Sequence, residues 1–208
     1  RHAVDAGADC LAAAPTAWFP TTTVDQLTAT CAAITDGIEA PFYYYHIPIL
    51  SKVQVPMATW LDQARTRLPT LAGIKFTHLD AIDFQTCIRD HGDAIELLWG
   101  VDELLVTGLA LGAHGAVGST YNFAARHALA ILRAFARGDA ATARTEQIAI
   151  TTLVQVLDRF GYAAAAKTVM RWLGVDCGSV RQPLTALPPA REAQLRAELA
   201  SIGFEVEG

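Results

Sequence analysis

The chain has 208 residues, 52% of them hydrophobic, and a formal net charge of −5. That length supports one sizeable core, and mild acidity without a basic run argues against a nucleic-acid or anionic-membrane partner. The longest apolar run, Leu104 to Ala113, contains Thr107 and two glycines and is too short to span a bilayer.

The first residues, Arg1-His2-Ala3-Val4-Asp5, read as the end of a helix with no signal-peptide pattern. The sequence is therefore expected to be the later part of a longer protein. A first strand is predicted over Cys10 to Ala14, closed by Pro15. Thr23-Val24-Asp25-Gln26 is a capping box, with Thr23 as N-cap and Gln26 reaching back to it. The helix it starts carries Leu27, Cys31 and Ile34 at helical spacing. Pro41 introduces the aromatic strand Phe42 to Ile47, and Pro48 ends it. Pro56 suits the first turn of a helix whose apolar face is Met57, Trp60, Leu61, Ala64 and Leu68.

Leu71 to Thr77 is a short strand with Lys75 near its C-terminal end. A helix follows over roughly Asp80 to Asp90, then the apolar strand Ile95 to Trp99, broken only by Glu96. Gly100 turns the chain into a helix from about Asp102 to Leu111. Gly115 to Ser119 reads as a small-residue strand, and Asn122 is the expected cap of a helix that runs to Gly138. The remainder is helical. Asp139 caps a long helix ending near Gly161, a second helix covers about Tyr162 to Leu173, and a third runs from Pro189 to Gly203.

Five strands alternating with helices place the chain in the α/β class, with a parallel sheet expected to be covered on both faces. A doubly wound sheet and part of an eight-stranded TIM barrel both fit. A complete barrel takes about 250 residues, so three absent units would amount to roughly 90. An N-terminus that opens inside a helix favours the partial (β/α)8 barrel, with its first three βα units missing. On that reading residues 1–137 carry barrel strands four to eight, and residues 138–208 form a C-terminal helical extension. The strand at Cys10 should then be an exposed edge.

Barrel enzymes place their site at the C-terminal ends of the strands. Those ends are Tyr45, Lys75 with Thr77, Gly100 with Asp102 and Glu103, and Ser119. The chain has only three lysines, Lys52, Lys75 and Lys167, against thirteen arginines. Lys75 has apolar or glycine neighbours on both sides, and enclosure by Ile74, Phe76 and neighbouring strands would favour the neutral, nucleophilic amine. The plainer alternative is a strand-end lysine whose head reaches water. Tyr45 could move a proton or line a barrel wall. Asp102 and Glu103 could bind a polyol or complement a helix dipole. Ser119 with Asn122 could be a ligand or a turn and cap. Gly108, Gly112, Gly115 and Gly118 match no phosphate-loop spacing, so they are read as close-packing positions. The four cysteines form no CxxC, and each is expected to pack as a small hydrophobe in a reducing cytosol, which makes the protein cytoplasmic. The six dispersed histidines suggest no metal site.

Tyr43-Tyr44-Tyr45-His46-Ile47-Pro48, Gly73-Ile74-Lys75-Phe76-Thr77, Trp99-Gly100-Val101-Asp102-Glu103 and Gly118-Ser119-Thr120-Tyr121-Asn122 share one order and spacing. In them the chain resembles the N-acetylneuraminate lyase family of pyruvate-dependent class I aldolases, related to dihydrodipicolinate synthase. The resemblance covers nearly the whole chain. It implies a (β/α)8 barrel with a helical C-terminal extension, assembled as a homotetramer. It implies Lys75 as the Schiff-base lysine and Tyr45 as the catalytic tyrosine. Thr77, Gly100, Asp102, Glu103 and Ser119 match positions that hold the sugar portion. The implied reaction is reversible cleavage of N-acetylneuraminate (sialic acid) to N-acetylmannosamine and pyruvate, with a covalent imine and no separate cofactor.

The chain departs from the family pattern in three places. The GSTGE-type segment that holds the pyruvate carboxylate is absent, together with everything before the fourth strand. Lys52 stands where a glycine is common, and Ala17 where family members often carry aromatics. Dihydrodipicolinate synthases typically place an arginine where this chain has Leu50, which favours a polyhydroxylated aldehyde over a second carboxylate. A 2-keto-3-deoxy sugar-acid aldolase, a dihydrodipicolinate-synthase-like enzyme and an inactive truncated chain remain open alternatives.

Overall fold

The computed structural model describes residues 1–15 and 18–205. Ala17 lies outside the described residues. The chain forms two compact units, Arg1–Val101 with Thr107–Val117, and Asp102–Val106 with Gly118–Gly208.

In the first unit a one-turn helix α1 (His2–Asp5) precedes β1 (Leu11–Ala13), α2 (Val24–Thr35) and β2 (Phe42–His46). Then come α3 (Pro48–Ser51), α4 (Met57–Arg67), β3 (Leu71–Phe76), α5 (Ala81–His91), β4 (Glu96–Trp99) and, later in the chain, β5 (Gly115–Ala116). All five strands are parallel, in the order β1-β2-β3-β4-β5. A doubly wound sheet reverses its strand order at a switch point. This sheet has no reversal, so it is a run of consecutive barrel units. Among the described residues β1 pairs only with β2 and is an edge, as expected from the sequence.

Right-handed crossovers between successive neighbours put every connecting helix on the same face of the sheet. Phe42, Tyr44, Ile74, Phe76, Leu97 and Trp99 point to that face and are almost fully buried. They meet Leu27 and Cys31 of α2, the buried face of α4 and Phe84 of α5. Phe84 anchors an aromatic cluster, with ring centroids 5.1 Å from Phe76 and 5.0 Å from Trp99. The apolar stripe read on α4 is buried at every position, whereas Ile34 of α2 is exposed. The opposite face differs from expectation. Tyr43, Tyr45, Lys75 and Leu98 are only partly buried and Glu96 is exposed. Side chains alternate across a strand, so a parallel sheet with its helices on one side keeps one face open.

Two local expectations are refined. Thr23 caps α2 by accepting from Gln26 N at 3.2 Å, but the side-chain Oε1 of Gln26 accepts from Thr22 N at 2.9 Å, one residue earlier than a capping box requires. Cys31 and Cys87 pack in the core as expected, while Cys10 and Cys177 are exposed.

The second unit contains a 3-10 turn (Asp102–Leu104) and the first residues of α6 (Leu105–Ala110). The helices α7 (Tyr121–Ala136), α8 (Ala140–Arg159), α9 (Tyr162–Trp172) and α10 (Pro189–Ser201) follow. Leu153, Leu157, Ala165, Val169, Leu195 and Leu199 form its buried core. Asp139 caps α8 through Thr142 N at 3.0 Å. The expected strand from Gly115 to Ser119 is shortened to two residues. After Val117 N bonds Trp99 O, the chain turns at Gly118 into α7.

Candidate active site

Tyr45 and Lys75 are direct register partners on neighbouring strands, and Lys75 is in turn the partner of Leu98. Direct partners in a parallel pair present their side chains on one face. The Lys75 ammonium lies over the Tyr45 ring, with Nζ 4.1 Å from the centroid. A cation over a phenol face is held by the ring quadrupole at the cost of little desolvation. Of the expected enclosure, the neighbouring strands supply their part through Tyr45 and Leu98, and Ile74 and Phe76 do not. Strand alternation sends both of those side chains to the helix-covered face, and Lys75 itself is only partly buried. Its apolar surroundings come from adjacent strands, not adjacent residues.

Beyond the strand ends the ladder continues, with Thr77 N donating to His46 O and Gly100 N to Phe76 O, both at 2.8 Å. Gly100 packs directly on the Thr77 hydroxyl, and a Cβ there would overlap it. Tyr45, Lys75, Thr77 and Gly100 are therefore gathered at the C-terminal end of one sheet.

Two features of this unit were not assigned from sequence. Tyr43 shares a face with Tyr45, and its hydroxyl donates to Glu96 Oε2 at 2.7 Å. That bond to a carboxylate, with some burial, pushes the Tyr43 phenol up to about 12. The signal was available in the period-two repeat of Tyr43 and Tyr45 and in the lone carboxylate of β4. His46 is the other. It is buried beside Phe76 and His78, and burial followed by the neighbouring His78 lowers it to about 3.

Asp102, Glu103 and Ser119 belong to the second unit. Asp102 is 6% exposed, and its Oδ2 accepts from Thr120 N at 2.9 Å. Only a glycine at position 118 leaves room for the other carboxylate oxygen, because a Cβ there would overlap it. Gln147 of α8 fixes the same turn by donating to Asp102 O at 3.0 Å and accepting from Val106 N at 2.9 Å. The carboxyl of Glu103 is half-buried, and desolvation holds it above the usual carboxylate range. Ser119 is exposed, with its Oγ 2.8 Å from the Tyr162 hydroxyl. Asn122 does not cap α7. Thr120 is the N-cap, and the Asn122 amide donates to Ser119 O at 2.9 Å from within the first turn.

The sheet of consecutive parallel units, with a lysine and a tyrosine paired near its C-terminal end, is the arrangement of a partial α/β barrel with a lysine near the C-terminal ends of its strands. Residues 1–202 match the Dihydrodipicolinate synthetase family, and the chain belongs to that family. It is 36% identical over 206 residues to the N-acetylneuraminate lyase of Gallus gallus, covering 97% of this chain and 67% of that protein. The Proteus mirabilis N-acetylneuraminate lyase structure superposes with a TM-score of 0.86 at 34% identity, covering 93% of this chain and 66% of that one. The native N-acetylneuraminate lyase (sialic acid aldolase) of Aliivibrio salmonicida gives 0.88 at 34% identity, over 93% and 65%. The chain thus spans about two thirds of the length of these relatives.

Proposed function

We propose that this chain is the lysine-bearing part of a Schiff-base lyase that reversibly cleaves N-acetylneuraminate to N-acetylmannosamine and pyruvate. The observation that carries the reading is Lys75 Nζ over the ring of Tyr45, in strand register, within a chain whose relatives bear that name. The Lys75 amine attacks the 2-keto carbon, and loss of water gives a protonated imine. The imine nitrogen accepts the electron pair as the C3–C4 bond breaks, so the chemistry needs no metal or cofactor. Tyr45 takes the proton from the C4 hydroxyl as the aldehyde forms and returns it to C3 of the resulting enamine. Hydrolysis then releases pyruvate and the free lysine.

Thr77, Gly100, Asp102, Glu103 and Ser119 are the groups proposed to receive the sugar portion, with Asp102 acting chiefly by holding the turn that carries Glu103. Leu50, exposed and uncharged, offers nothing to a second carboxylate, which favours a polyhydroxylated aldehyde. A homo-oligomer is proposed as the working assembly. Exposed Phe19, Ile49, Leu50, Leu79 and Ile82, on the segments that follow β1, β2 and β3, support it. A cytoplasmic location is proposed from the free exposed thiols of Cys10 and Cys177. No helix among the described residues is long and apolar enough to cross a membrane.

The test is pyruvate release from N-acetylneuraminate by the full-length parent protein and by its Lys75→Arg variant. Release by the first and none by the second is expected, because a guanidinium stays charged and is a poor nucleophile. Equal release by both would exclude the reading.

A further inference from the structure

The second unit contains a linked set of three hydroxyls. Tyr162 opens α9, and its OH lies 2.8 Å from Ser119 Oγ and 3.0 Å from Thr120 Oγ1. Thr120 is 1% exposed, and its backbone N–H is already taken by Asp102 Oδ2. Ser119 is open to solvent.

We propose that Tyr162 is a positioning residue that makes Ser119 a committed hydrogen-bond donor to an acceptor oxygen of a neutral polyhydroxylated ligand. The inference rests on the sugar-binding role proposed for Ser119 above. It follows from counting protons. A phenol carries one proton, and the hydroxyls of Ser119 and Thr120 are the partners within its reach, so using that proton means donating to one of them and accepting from the other. Thr120 is buried, and leaving its hydroxyl proton unpaired would incur the full desolvation penalty. Thr120 therefore donates to Tyr162, and Tyr162 donates to Ser119. One of the two lone pairs of Ser119 is then used internally, and its own proton is left for an outside acceptor.

Each donor in such a chain polarises the next, so the terminal O–H is a better donor than an isolated serine. Burial, aided by Asp102 and Glu103, keeps the Tyr162 phenol protonated against the opposing pull of its two hydrogen bonds. Without Tyr162, Ser119 would rotate freely between donor and acceptor roles and lose its preference for an acceptor oxygen. The Tyr162 ring also packs against the second core, so Tyr162→Phe removes the relay and keeps the packing.

The experiment measures KM and kcat for N-acetylneuraminate in the full-length parent protein, as wild type, Tyr162→Phe, Ser119→Ala and the double variant. Tyr162→Phe is expected to raise KM about fivefold, the loss of one hydrogen bond, with kcat within about twofold. The double variant should be no worse than Ser119→Ala, since both losses run through one hydroxyl. An unchanged KM in Tyr162→Phe, or losses that add in the double variant, would overturn the proposal. Reductive trapping of pyruvate on the wild-type chain reports separately on the lyase reading. If that trapping fails, the relay is judged by proton NMR. A Thr120 hydroxyl proton protected from exchange in the wild type and unprotected in Tyr162→Phe supports it. Rapid exchange in both overturns it.

Discussion

Lys75 Nζ sits 4.1 Å above the centroid of the Tyr45 ring, one strand across in exact register partnership. The ring face packs against the end of the Lys75 side chain, and the phenol oxygen at its rim is the group proposed above to move a proton. Tyr45→Phe separates these roles, because it keeps the face and deletes the oxygen. It should still form the pyruvate imine while carbon–carbon cleavage falls by about 10²- to 10⁴-fold. Tyr45→Ala should lose imine formation as well. Single-turnover kinetics distinguish the steps, and intact cleavage in Tyr45→Phe would remove the phenol from the mechanism.

His46 sets a pH limit on folding. Burial lowers it to about 3 in the folded state, from the ordinary histidine value of 6.5. Below about pH 6.5 the unfolded chain takes up a proton that the folded chain refuses until near pH 3. Stability should therefore be complete above pH 6.5 and decline as the pH falls, with a limiting slope of about 1.4 kcal/mol per unit. Urea unfolding between pH 7 and pH 5 measures the decline in the first unit. His46→Gln should flatten it, and an unchanged slope in that variant would assign the effect elsewhere.

Lys52 has φ 61°, in the left-handed region, where it ends α3. Its ammonium reaches back to Ile49 O at 2.8 Å. A side chain in that conformation costs about 1–2 kcal/mol that glycine avoids, partly offset by glycine's larger unfolded-state entropy. Lys52→Gly should raise unfolding stability by roughly 0.5–1 kcal/mol, and Lys52→Ala should not. Matched denaturant midpoints for the glycine variant and the wild type would refute the strain argument.

Asp102 satisfies a buried backbone N–H at the start of α7. Asp102→Ala leaves Thr120 N unpaired and should reduce stability by about 1–3 kcal/mol. Asp102→Asn keeps an acceptor of the same shape and should lose less. Thermal or denaturant unfolding of the two variants checks the order, and equal losses would mean that charge, not the hydrogen bond, holds the turn.

The order of elements and the strand-end residues were legible in the sequence because both follow from short-range rules. Proline and glycine punctuate the strands, and period-two alternation decides which side chains share a face. Alternation also explains what was misread. Ile74 and Phe76 are sequence neighbours of Lys75 and for that reason point away from it, while its actual neighbours, Tyr45 and Leu98, come from other strands. The unusual demand at Lys52 showed in the sequence as a departure from glycine, but its cause, a positive φ, required coordinates. Asn122 was misplaced by two residues, since the Thr120 N–H is satisfied by Asp102, eighteen residues earlier, instead of by a local side chain. The Tyr162 hydroxyl contacts span more than forty residues and carry no local signature.

The central claim is that Lys75 alone is the imine-forming amine. Borohydride reduction of the full-length parent protein in the presence of pyruvate, followed by peptide mass mapping, tests it directly. The account predicts an adduct on the peptide containing Lys75, none on those containing Lys52 or Lys167, and loss of the adduct in Lys75→Arg. An adduct on either of the other lysines, or one that persists in Lys75→Arg, would contradict it.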